Sequence, residues 1–190
     1  SSSAASDVYK RQVVDDGYAD EAVAKLGSHR PTGPLRGNKY SAFEGGTRIP
    51  AIVRWPKEIH KAAVSDALVS QIDWFASFAS LLQVRLPKGA AIDSRNHLDT
   101  WLGKDNADRP WVIEQALNHA LSVRTKEWKY IEPSRGEAIM ARESVETGYL
   151  MEPQLYHVAS DYEQKNVAKE NPEIVYELQS ILKDVRDKVK

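Results

Sequence analysis

Three cations and three glycines fall within residues 34–50, Pro-Leu-Arg-Gly-Asn-Lys-Tyr-Ser-Ala-Phe-Glu-Gly-Gly-Thr-Arg-Ile-Pro. Arg36, Lys39 and Arg48 can supply positive charge to an oxyanion, and Gly37, Gly45 and Gly46 allow backbone to approach a bound group closely. By composition alone the same stretch is a solvated basic loop. Of the five histidines none has a second histidine four residues away, so a histidine-built metal centre is not indicated. His29 lies on the loop leading to Lys39 and can face a substrate, and His119 falls in an expected hairpin turn. His60, His97 and His157 read as structural or exposed. The chain has no cysteine, which excludes disulfides, thiolate metal sites and cysteine nucleophiles.

The elements that position these residues can be read from periodicity. Residues 1–40 are polar and turn-rich, with no sustained apolar period. Ile49-Pro50-Ala51-Ile52-Val53-Arg54-Trp55, closed by Pro56, reads as a buried strand that Pro50 enters. From Ser70 to Gln83 the residues Ile72, Phe75, Ala79 and Leu82 recur at helical spacing, and Ser70 followed by Asp73 suits an N-terminal cap. Residues 84–110 read as connection with a helical turn near Leu98–Leu102. Trp111–Leu117, Leu121–Val123, Trp128–Ile131 and Gln154–His157 are short aromatic and β-branched runs, the first three spaced as an antiparallel meander. Their aromatic residues, Trp111, Trp128, Tyr130 and Tyr156, belong to the core on this reading, and the charged stretch 132–153 is a solvated loop. Asn171-Pro172-Glu173 opens a terminal helix whose Val175, Leu178, Ile181, Leu182 and Val185 form one face.

Composition narrows the function classes. The 190 residues carry a net charge of -1, so there is no bulk electrostatic reason to expect nucleic acid or an anionic membrane as a partner. No apolar run approaches the roughly 20 residues of a membrane-spanning helix.

The order of residues from Leu35 to Pro56 closely resembles the signature near the C-terminal end of the type I sulfatases, the arylsulfatase-like, formylglycine-dependent members of the alkaline phosphatase superfamily. The resemblance continues through Ser70–Leu82, Ser122–Ile131 and Leu155–Val167 and covers about residues 13–190, with the block around Lys39 its specific part. It implies an α/β chain, the C-terminal part of an alkaline-phosphatase-like sulfatase fold, with a small antiparallel sheet packed by a C-terminal helix. Residues 13–105 would be a fragment of the large α/β domain, with Ile49–Trp55 a strand of its sheet, and 106–190 the C-terminal subdomain. Residues 1–12 resemble nothing in the family and are expected to be foreign or misassembled sequence.

The implied activity is hydrolysis of sulfate esters of an aryl or carbohydrate substrate. Lys39 matches the family's sulfate-binding lysine, while His119 and His29 are the candidates for contact with the substrate's body. Glu44, Gly45, Gly46 and Thr47 are expected to shape a turn and Arg48 to pack or pair. The family's Ca²⁺ and formylglycine belong to the full-length parent and are not expected to be held by this chain alone. Pro133-Ser134-Arg135 has Ile131 where the convertible Cys or Ser must stand, and Asp15-Asp16 lacks the asparagine of the family's metal motif. The chain alone is therefore expected to be inactive, its partners being a sulfated small molecule or glycan and the missing N-terminal sulfatase portion. The parent is expected to be periplasmic, secreted or lysosome-like. Two alternatives are a non-catalytic binding or structural module with the same fold and, more weakly, a phosphatase or phosphonate hydrolase of the superfamily.

Overall fold

The computed structural model describes residues 28–30, 32–117, 119–140 and 145–188. The expectations for residues 1–12 and for Asp15 and Asp16 lie outside the described residues. The chain divides into two compact units, one running from Ile52 to Val112 and the other joining the residues up to Ala51 to those from Ile113 onward.

The Ile52–Val112 unit is built on helix α2, Asp73–Leu81, and the single turn α3, Leu98–Trp101. Helical spacing is correct here, but the side that faces inward is not the apolar one. Asp73 and Ser77, one helical turn apart, are buried, whereas Phe75 and Leu82 are 56% and 70% exposed. What draws the polar side inward is hydrogen bonding. Asp73 accepts the backbone N–H groups of Ser70 and Arg95, both at 2.9 Å, and pairs with the buried Arg109 guanidinium. Ser77 accepts the His97 N–H at 3.0 Å. Asp73 thus reaches back to Ser70 from within the helix, and the Ser70 hydroxyl makes no cap. Trp74 stacks on Trp101 at 4.0 Å, which ties α2 to α3.

Ile49–Trp55 does not form a strand. A strand needs a neighbour to complete its hydrogen-bond ladder, and no strand among the described residues pairs with this one, which leaves Ile52 88% exposed. The composition suits a buried strand, but its ladder has nothing to join.

In the other unit the expected small sheet is present. Strands β1 (Val112–Gln115), β2 (Leu121–Arg124), β3 (Trp128–Ile131) and β6 (Gln154–His157) lie in the order β1-β2-β3-β6. β2 and β6 flank β3 antiparallel, with Arg124 opposite Lys129 opposite Tyr156, and Val123 opposite Tyr130 opposite Leu155. Because side chains alternate along a strand, these two rows lie on opposite faces. The stretch expected to be a solvated loop instead carries a two-stranded ribbon, β4 (Ile139–Met140) with β5 (Val145–Glu146), and buries Val145, Thr147 and Tyr149. Alternation is too short there to show in the sequence.

The terminal helix, α4, runs Pro172–Lys188 with the proline in its first position, as the sequence predicts, and buries Leu178 and Leu182 against β2 and β3. The expected Glu44-Gly45-Gly46-Thr47 turn is a single helical turn, α1 (Glu44–Thr47). α1 and the segment before it cover the opposite face, where Ala42 and Phe43 join Ile131 and Tyr156 in the core.

Asp73 has no access to solvent, so removing its cation leaves a charge buried without compensation. Arg109→Ala is expected to cost the Ile52–Val112 unit about 3–5 kcal/mol in urea unfolding. Phe75→Ser on the exposed face is expected to change stability by less than about 0.5 kcal/mol while reducing self-association in light scattering.

Candidate functional site

Residues 36–47 wrap over one sheet face, and backbone hydrogen bonds pin them at successive points. Gly45 donates to the Arg36 carbonyl and Ala42 to that of Thr147, both at 2.8 Å, while Leu117 donates to Tyr40 at 3.4 Å. Glycine is required where the segment crosses itself, because a Cβ on Gly45 would stand 2.1 Å from the Gly37 carbonyl oxygen. Tyr40 takes φ of +83°, a left-handed conformation that reverses the chain immediately after Lys39.

The three cations of this block have different fates. Arg36 lies 4.0 Å over the Phe43 ring, grips the Glu146 carboxylate at 2.8 and 3.2 Å, and donates to the Glu163 carbonyl at 2.7 Å. Arg48 stands 3.8 Å from Glu44, as expected for a pairing residue. Lys39 is half-buried beside the Tyr40 ring, 5.4 Å from its centroid, and no carboxylate among the described residues is within ion-pair distance of it. Lys39 is thus the one of the three without a carboxylate partner among the described residues.

Of the two candidate histidines, His119 lies on the turn that hydrogen-bonds to Tyr40, the residue after Lys39. Its turn closes with a 3.1 Å bond from the His119 N–H to the Ala116 carbonyl, and the same turn donates through Leu117 to Tyr40. His119 is exposed with φ of +61°. The Gln115 amide donates to Nδ1 at 3.1 Å, which leaves Nε2 as the nitrogen bearing hydrogen in the neutral ring. His29 is exposed, ten positions before Lys39. The other three fit their structural or exposed readings: His97 is buried 4.0 Å from Asp73, His157 meets Trp128 edge-on, and His60 is exposed.

Sequence reasoning missed the charged cluster beneath the loop. Lys129, fully buried, donates to Thr47 at 2.8 Å and lies 2.8 Å from Glu114 and 3.3 Å from Glu44. Arg124 adds a 3.2 Å contact to Glu44. The Lys129 pKa is raised: burial opposes the charge, but Glu114 and Glu44 overcome it. Glu44 is correspondingly lowered despite its own burial, through Lys129 and Arg124. The available signal was a lysine between Trp128 and Tyr130 in an otherwise apolar strand.

Glu163 completes the clamp by accepting the Glu44 N–H at 2.7 Å, on a loop where Tyr162 and Glu163 both take left-handed φ. Its carboxyl is pushed up to about 7, chiefly by burial, with Lys129 acting in the opposite direction and Glu44 and Glu114 reinforcing the rise. An acid whose folded pKa exceeds its unfolded value stabilises the fold fully below the unfolded value of 4.5 and loses that contribution as pH rises to about 7. Glu163→Gln keeps an acceptor for Glu44 and removes the titration. It is expected to be stabilising relative to the native chain at about pH 8 and not at about pH 5, a difference of up to about 3 kcal/mol in urea unfolding. Equal differences at both pH values would overturn the assignment. Lys129→Ala is expected to cost about 3–5 kcal/mol, since it leaves the half-buried Glu114 without its cation and the buried Glu44 with the arginines alone.

With this geometry in hand, comparisons with known proteins place the chain. The Sulfatase family profile matches residues 18–84. An N-acetylgalactosamine-6-O-sulfatase of Bacteroides thetaiotaomicron is 50% identical over 92% of this chain and 34% of its own length. The steryl-sulfatase of Homo sapiens is 34% identical over 58% of this chain and 19% of its own. A solved structure from Bacteroides thetaiotaomicron, described under the metabolism of multiple glycosaminoglycans, superposes with a TM-score of 0.87 at 49% identity, covering 92% of this chain and 36% of that one. The chain therefore spans about a third or less of the length of these relatives. The α/β fold with its antiparallel sheet and closing helix is that of the corresponding part of the solved relative, and the chain belongs to the sulfatase family.

Proposed function

We propose that this chain supplies the sulfate-holding lysine and part of the substrate-facing rim of a hydrolase of carbohydrate sulfate esters. The observation that supports this reading is the contrast within one loop: Arg36 is paired with Glu146 and Arg48 stands 3.8 Å from Glu44, whereas Lys39 has no carboxylate within ion-pair distance among the described residues. A positive charge held there offsets the negative charge that builds on sulfuryl oxygens as an ester bond breaks. His119, exposed on the turn that hydrogen-bonds to Tyr40, and His29 are proposed for contact with the body of the substrate. Relatives named for N-acetylgalactosamine 6-sulfate favour a sugar bearing a primary sulfate over an aryl sulfate.

The described residues do not fit the Ca²⁺ and formylglycine that sulfatases use. Among them no group of His, Asp or Glu side chains could hold a metal ion, and the carboxylates nearest the loop are committed to Lys129, Arg124 and Arg36. The sequence contains no Cys/Ser-x-Pro-Ser-Arg motif. The proposed contribution of these residues is therefore to bind and orient the sulfate, in a parent that is periplasmic, secreted or lysosome-like.

Titration of the chain with N-acetylgalactosamine 6-sulfate, followed by NMR shifts of loop amides, tests the reading. Lys39→Ala is expected to weaken binding about tenfold, the scale of one charged hydrogen bond. Equal affinity in Lys39→Ala, or equal affinity of the native chain for the sugar without sulfate, would overturn it. The chain alone is expected to release no sulfate from an aryl sulfate ester.

A further inference from the structure

Lys39 stands in a loop whose two ends meet the same distant residue. Arg36, before Lys39, donates through Nη1 to the Glu163 carbonyl at 2.7 Å, and Glu44, after it, donates its backbone N–H to Glu163 Oε2, also at 2.7 Å. Gly45 bonds back to the Arg36 carbonyl at 2.8 Å, so the ends are tied to each other as well as to Glu163. Glu163 has no access to solvent, and its second carboxyl oxygen, Oε1, is buried without a hydrogen-bond partner among the described residues. The segment that carries it is strained: Tyr162 and Glu163 take φ of +50° and +65°, a region that residues other than glycine hold only where their surroundings enforce it. Asp161 contributes to that enforcement, accepting the Glu163 and Lys165 N–H groups at 2.9 and 3.0 Å.

The groups around this carboxyl favour its neutral form. Lys129 approaches from β3, but that ammonium is already shared by Glu114 of β1 and Glu44 of α1, at 2.8 and 3.3 Å, and Arg124 of β2 lies on Glu44. Tyr156 of β6 brings no positive charge, Asp161 on the same loop is an acid, and the Arg36 guanidinium is committed to the Glu146 carboxylate and the Glu163 carbonyl. A third negative charge here has one oxygen unpartnered and no water, an arrangement in which charge is costly. Burial accordingly pushes the carboxyl up to about 7. Above that pH the charge is relieved by moving Glu163 out to solvent, which gives up the Glu44 N–H and the Arg36 bond together. We propose that Glu163 is a positioning residue for Lys39 and a pH-dependent clasp: in its neutral form it closes the loop at both ends, and its ionisation opens the loop and weakens the hold on sulfate. The effect on sulfate rests on Lys39 binding it as proposed above; the clasp rests on the two bonds alone.

Hydrogen exchange of the Glu44 and Gly45 amides, followed by NMR on the ligand-free chain, reads the clasp directly. A carboxyl that ionises near 4.5 when released and at about 7 when clasped raises the opening equilibrium about seventyfold between about pH 5 and about pH 8, over and above the base catalysis of exchange itself. Glu163→Gln, which keeps an uncharged acceptor, is expected to show no such rise, and Glu163→Ala, which has none, to exchange fast at both pH values. The affinity of the native chain for N-acetylgalactosamine 6-sulfate is expected to match that of Glu163→Gln at about pH 5 and to be about tenfold weaker at about pH 8, because the closed fraction scales the apparent affinity. Taking the ratio of the two proteins at each pH cancels the titration of His29 and His119. Opening indifferent to pH in the native chain, the same rise in Glu163→Gln, or an affinity ratio that does not change with pH would each overturn the proposal. An affinity that Lys39→Ala leaves unchanged would instead overturn the sulfate reading, while exchange in the absence of ligand still decides the clasp.

Discussion

A single ammonium group organises the larger unit. Lys129 sits with no solvent access in an inner strand of the sheet, and the groups that keep it charged come from two separate stretches of chain: Glu44 and Thr47 from α1, and Glu114 from β1. A lysine in so dry a place is tolerable only if its partners stay where they are, so the ion cluster fixes α1 on the sheet. Because α1 follows Lys39 by five residues and Gly45 is bonded back to Arg36, fixing α1 also fixes the loop that presents Lys39. Lys39, the cation proposed to hold sulfate, has no carboxylate partner among the described residues, while the hidden Lys129 holds Glu44 and Glu114.

Sorting the charges in this way separates binding from structure more sharply than composition can. Arg36, Arg48 and Lys39 are equivalent in a count of basic residues, yet Arg36 acts as a cross-brace between Glu146, Glu163 and two aromatic rings, and Arg48 leans on its own helix turn. The same principle governs the smaller unit, where Asp73 and Arg109 direct a polar helix face inward and leave apolar side chains outside. In the smaller unit a buried ion pair, rather than apolar periodicity, decides which side of α2 is interior.

The parts of the structure that were legible from sequence are those that depend on local rules. The terminal helix announced itself through Pro172 and an apolar face at helical spacing, and the strands of the meander through aromatic and β-branched runs. The block around Lys39 was legible as sulfatase sequence through the order of its residues. What was hidden depends on partners distant in sequence. The inward side of α2 was missed because Arg109, 36 residues away, overrides its hydrophobic pattern. The Glu146 brace was missed because β4 and β5 have two residues each and show no period. Ile49–Trp55 has the composition of a strand, but composition cannot report whether a neighbouring ladder is present.

Strand β3 is the shared wall of both faces, and its alternation assigns consecutive residues to different duties, Lys129 to the loop side and Tyr130 to the helix side. This makes the length of the 125–127 connection a matter of odd and even. Adding or deleting one residue there, without a compensating bulge, would drive the ammonium toward Leu178 and Leu182 and the phenol ring toward Glu44, so both faces would fail together. The length of this short turn is therefore restrained by the alternation of β3 as well as by the turn's own hydrogen bonds, from the Val158 N–H to the Glu127 carbonyl and from the Trp128 N–H to the Thr125 hydroxyl.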